Sequence, residues 1–116
     1  MKLAIIGSRT ISSLNLDRYI KEKPDCVISG GAKGIDTLAW KWAVDNHIGI
    51  IVHRPDYNKN GRWAALRRND LIIREADRII AFWNGKSTGT KYVIDNARKL
   101  GKPLEIIMIE ENGDAK

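Results

Sequence analysis

Ser29-Gly30-Gly31-Ala32-Lys33-Gly34-Ile35-Asp36 decides the fold of this chain. The short apolar run Cys26-Val27-Ile28 before it reads as a buried strand. Ile35, Leu38, Ala39, Trp42 and Ala43 after it recur with helical period. A glycine-rich turn from a strand into a helix is where α/β proteins hold phosphate. Glycines let the backbone approach closely, and the first helical turn offers unpaired N–H groups and the positive end of the dipole. Structural tight turns use the same residues, so one such loop decides little. Two more follow predicted strands: Gly7-Ser8-Arg9 after Leu3-Ala4-Ile5-Ile6, and Asn84-Gly85-Lys86-Ser87-Thr88-Gly89-Thr90 after Ile79-Ile80-Ala81-Phe82-Trp83.

Outward from these loops, the chain alternates strand and helix. Strands are expected over 3–6, 26–29, 49–53, 78–83 and 103–109, and helices over 12–22, 34–46, 62–75 and 89–100. Strict alternation with short connections predicts right-handed crossovers and a parallel sheet covered on both faces. The expected fold is therefore α/β: a three-layer, doubly wound, Rossmann-like sheet of about five strands in the order 3-2-1-4-5. The topological switch then falls between the first and fourth strands, whose loops carry Gly-Ser-Arg and Lys-Ser-Thr-Gly-Thr. Residues 1–109 read as one domain and 110–116 as a polar C-terminal tail.

A net charge of +6 points toward anionic partners. Arg9, Lys33, Arg54, Lys59, Arg62, Arg67, Arg68, Lys86 and Lys91 all fall in or near segments at the expected ligand-side edge, although any one of them taken alone reads as solvated surface. No apolar run reaches membrane-spanning length, and the first apolar run is too short for a signal-peptide core. The single cysteine, Cys26, excludes an internal disulfide. The expected compartment is the cytoplasm. His47 and His53 lack partners at ligand spacing, so no metal site is expected.

Candidate ligand contacts follow from the loops. Gly7, Ser8 and Arg9 end the first strand, and an arginine there suits a bidentate grip on phosphate or carboxylate. Ser29, Gly30, Gly31, Ala32, Lys33 and Gly34 form the second loop. Lys86, Ser87, Thr88, Gly89 and Thr90 open the fourth helix, where Ser87 or Thr88 also reads as a plain helix cap. Asn69 falls on the apolar face of the third helix, between Ala65 and Ile72, and there it either ties down a loop or meets the ligand. Arg68 beside it points to the crevice mouth or to solvent. Asp36 caps the second helix through its dipole, binds a ribose hydroxyl or orients a water. Trp83 ends the fourth strand, where it packs or stacks on a base. Trp42 lies on the core stripe, and Trp40 off it implies a partner surface such as a homodimer.

Gly7-Ser8-Arg9-Thr10, Ser29 through Asp36, Arg68-Asn69, Ala76-Asp77, Ala81 through Lys91 and Gly101-Lys102-Pro103 together resemble the YspA/YpsA-related branch of the SLOG superfamily. The resemblance implies a Rossmann-like domain binding a nucleotide or nucleotide-derived ligand of the NAD, ADP-ribose or nucleoside phosphate type, as a sensor or a nucleotide-processing protein. Beyond such a ligand it names no cofactor. Two related groups frame alternatives. The cytokinin-activating LOG phosphoribohydrolases carry acidic residues one helical turn after Gly-Gly-x-Gly-Thr, where this chain has Lys91-Tyr92-Val93 instead. The DNA-uptake protein DprA, which binds single-stranded DNA, is similar in the Ser-Gly-x-Ala-x-Gly-Ile-Asp and Arg-Asn segments. Should the chain catalyse a reaction, the resemblance implies a hydrolase acting on a nucleotide, with Asp36 and Arg68 as candidates and Asp36 orienting water.

Overall fold

Alternate residues of the first strand enter different cores. Leu3 and Ile5 cluster with Ile35, Ala39 and Trp42, whereas Ala4 and Ile6 cluster with Ile72, Ile73, Val93 and Ile94. A strand covered on both faces has no polar side, which is why these strands read as continuous apolar runs. The computed structural model describes residues 1–110. Strands β1 (Lys2–Gly7), β2 (Cys26–Ser29), β3 (Gly49–Val52), β4 (Arg78–Trp83) and β5 (Leu104–Met108) pair in parallel in the order β3-β2-β1-β4-β5. This is the expected α/β Rossmann-like arrangement. Helix α1 (Ile35–Asp45) covers one face, and α3 (Ala64–Glu75) and α4 (Thr88–Lys99) cover the other. A one-turn helix, α2 (Tyr57–Asn60), and a 3-10 turn at Gly61–Trp63 lead into α3.

One expected helix is absent. Over 12–22 the chain forms only a 3-10 turn at Leu16–Arg18. Asn15 Oδ1 accepts from Asp17 N and starts the turn, offering the backbone an alternative to the helix. Ile11 and Leu16 nevertheless reach the core. The polar tail expected over 110–116 lies, beyond Glu110, outside the described residues. Among the described residues no helix is long and apolar enough to cross a membrane.

Parallel pairing puts the C-terminal ends of β1, β2 and β4 on one edge. Ser8 N donates to Phe82 O at 3.1 Å, and Asn84 N donates to Ser8 Oγ at 3.2 Å, so the loops after β1 and β4 are tied directly together.

Candidate functional site

The loops after β1, β2 and β4 surround a crevice of about 850 Å³ between the N-terminal halves of α3 and α4. Gly7, Ser8, Arg9 and Thr10 line one side of it, and Lys86 through Thr90 line another. Gly30, Ala32 and Asp36 come from the β2–α1 connection, and Arg68 and Asn69 from α3. Thirteen of the residues singled out from sequence thus share one cavity: Gly7, Ser8, Arg9, Gly30, Ala32, Asp36, Arg68, Asn69, Lys86, Ser87, Thr88, Gly89 and Thr90.

The β4–α4 loop is shaped by its own side chains. Asn84 Oδ1 accepts from Lys86 N at 2.8 Å and from Ser87 N at 2.9 Å, an Asx turn followed by Gly85 at φ 80°. Ser87 caps α4, its Oγ accepting from Thr90 N at 3.3 Å. Capping and crevice lining are therefore combined in one residue. Thr88 and Gly89, the first two helical residues, have no intrahelical acceptor for their N–H groups, and both border the crevice. A Cβ added at Gly89 would meet no atom within 4 Å. The fold itself therefore gives no reason for a glycine at that position.

The other glycines differ. Gly34 has φ 70°, and a Cβ there would lie 2.5 Å from the carbonyl oxygens of Ser8 and Arg9. At Gly30 a Cβ would sit 2.6 Å from Arg68 Nη1 and 3.1 Å from Asp36 Oδ2. The β2–α1 turn is thus threaded between an arginine and an aspartate.

Arg68 lines the crevice and is not out in solvent. It is 8% exposed, and its Nη1 donates to Gly30 O. Its Nε is buried without a hydrogen-bond partner, and none of the ion pairs among the described residues includes it. Burial lowers its affinity for the proton; Asp36 opposes that shift and Arg9 adds to it. Asp36, 9% exposed, accepts from Ala32 N at 3.0 Å. Burial raises its carboxyl above the ordinary range, and the Ala32 N–H, Arg68, Arg9 and the Gly30 N–H pull it back. The cavity therefore holds cations at Arg9, Arg68 and Lys86 against the single carboxylate of Asp36.

Several sequence candidates stand behind the crevice rather than on it. Ser29 Oγ accepts from Gly31 N at 3.3 Å and shapes the turn. Gly31 packs on Val52 and Arg54, Gly34 on the β1 loop, and Lys33 is exposed. Trp83 Nε1 donates to Ser87 O at 3.0 Å, which pins the β4–α4 loop from behind. Sequence reading missed Asn84 and Tyr92 as crevice residues. Asn84-Gly85 is a turn signal in plain view, and Tyr92 follows Gly89 by one helical step. Tyr92 also donates its hydroxyl to Asp70 Oδ1 at 2.7 Å. Among the described residues no group of His, Cys, Asp and Glu side chains could hold a metal ion.

The profile of the YAcAr family, described as the YspA, cpYpsA-related SLOG family, matches residues 1–59. The chain is 34% identical over 84 residues to the Gene 61 protein of Mycobacterium phage D29, covering 67% of each chain. No solved structure matches it.

Proposed function

The chain belongs to the YspA, cpYpsA-related SLOG family, and from that premise we propose that it binds a nucleotide or nucleotide-derived ligand of the NAD, ADP-ribose or nucleoside phosphate type. The observation that carries this reading is Arg68. A buried guanidinium with no ion pair and an unpartnered Nε is costly unless an anion completes it. It lines a crevice at the topological switch point, opposite the capped N-terminus of α4. In this reading the phosphates rest on the Thr88 and Gly89 N–H groups and the Gly30 turn, with Arg9 and Lys86 as further counter-charge. Calorimetry against nucleoside monophosphates, NAD and ADP-ribose tests it. Gly89→Asp, which sets a carboxylate against the phosphate, abolishes binding while leaving the fold intact. A folded variant that binds every ligand as well as the parent chain overturns the loop assignment.

A second reading is single-stranded nucleic acid binding. It is favoured by Tyr57 and Trp63, 59% and 52% exposed beside the start of α3, with the Arg62 guanidinium 4.9 Å from the Trp63 ring centroid. A LOG-type hydrolase has less support. Lys91-Tyr92-Val93 supplies no carboxylate after Thr90, which leaves Asp36 as the single acid on the crevice. A homodimer through the exposed Trp40 and Val44 of α1, and residence in the cytoplasm, belong to the same proposal.

A further inference from the structure

Besides Arg68 and the first-turn residues Thr88 to Thr90, the side chains that α3 and α4 present to the crevice are mostly apolar. Ala65, Leu66, Ile72 and Val93 form this wall, and Asn69 stands among them, half-buried and without a hydrogen-bond partner among the described residues. Tyr92 borders the same wall with its ring held by the bond to Asp70. Asparagine is a poor helix former, and a half-buried amide that makes no bond returns nothing to the fold. Its place in a cavity wall is therefore accounted for by something that enters the cavity.

Apolar side chains and an aromatic ring suit the faces of a flat heterocycle, and the amide suits its edge. A carboxamide presents a donor beside an acceptor, which fits a ring edge offering the complementary pair. Resting on the nucleotide-binding reading above, we propose that this wall is the base subsite and that Asn69 selects adenine. Both polar edges of adenine, N1 with N6 and N6 with N7, offer an acceptor beside a donor. Guanine also sets an acceptor, O6, beside a donor, N1–H, but its 2-amino group adds a further donor that needs an acceptor of its own. The carboxylate next to Asn69 that would accept it, Asp70, does not line the crevice, and Asp36 lies at the β2–α1 turn, where it accepts from Ala32 N. Cytosine offers a matching edge on a smaller ring, which leaves part of the apolar wall wet.

The experiment is calorimetry with AMP, GMP and CMP on the full chain and on Asn69→Leu and Asn69→Asp, each checked for folding by its thermal midpoint. AMP binds about five-fold or more tightly than GMP or CMP, the value of one good bidentate contact. Asn69→Leu lowers AMP to the level of GMP and leaves GMP and CMP nearly unchanged. Asn69→Asp keeps the shape but places an acceptor against the ring acceptor, and the preference is lost in the same way. Nucleotides bound without base preference, or a preference that survives both substitutions, overturn the subsite and leave nucleotide binding standing. If no nucleotide binds, both readings fall.

Discussion

Asp36 and Arg68 face each other across the Gly30 backbone, and their environments make opposite demands. Burial raises the Asp36 carboxyl above its ordinary 3.8, so the folded chain holds that proton more tightly than the unfolded chain does. The favourable contribution is full below the unfolded value and is lost as pH rises through the folded one. An Asp36→Asn variant escapes that loss. Its thermal midpoint therefore gains on the parent chain as pH rises from about 4 toward neutrality. A constant gap would show that folding leaves the Asp36 carboxyl unshifted, and a parent chain that gains on the variant with rising pH would show that Asp36 is stabilised as the anion. Arg68 separates stability from function differently. Arg68→Met removes a buried cation, which favours the fold, but strips Gly30 O of its donor, which opposes it. The two effects offset in stability and not in affinity. The expected result is a small change in thermal midpoint with about ten-fold or greater loss of nucleotide affinity by calorimetry.

At the scale of elements, the glycines discriminate between fold and ligand. Gly34→Ala puts a Cβ 2.5 Å from two carbonyl oxygens at φ 70°, and costs about 2 kcal/mol or more in urea unfolding. Gly89→Ala meets no atom within 4 Å and removes backbone freedom from the unfolded chain, so it stabilises by about 0.4–1 kcal/mol. If a phosphate rests on that turn, the same methyl weakens nucleotide binding. Higher stability with lower affinity is the expected pair, and higher stability with undiminished affinity removes the phosphate from α4. Sequence shows all three glycine-rich loops but not this distinction, because Gly34 and Gly89 are the same letter in similar settings. The strands were legible because doubly covered runs such as Ile79 through Trp83 have no polar alternation to confuse them. The segment 12–22 was not, since Asn15 caps a single 3-10 turn there instead of a helix. Trp83 was placed at the correct strand end, but its indole turns to Ser87 O, a direction no sequence pattern encodes.

The whole molecule carries a net charge of +6, and that charge would serve a mononucleotide and a nucleic acid strand in different ways. Arg9, Arg62, Arg67 and Lys86 are all exposed, and Tyr57 and Trp63 stand open near the start of α3. A strand gripped by those four cations releases counterions, about 0.7 per contact. Its affinity would fall about fifty-fold over a four-fold rise in salt. A mononucleotide held mainly by N–H groups at Thr88, Gly89 and the Gly30 turn, with Arg68 shielded by burial, would lose only a few-fold over about the same range. A salt titration of a fluorescent oligonucleotide, with unlabelled mononucleotide as competitor, separates the two. The expected outcome is weak oligonucleotide binding that declines steeply with salt and yields to the nucleotide that fills the crevice. Tight oligonucleotide binding at physiological salt, indifferent to every mononucleotide, would instead make the aromatic segment at Tyr57–Trp63 the working surface. The crevice would then be left with a buried arginine that no ligand completes.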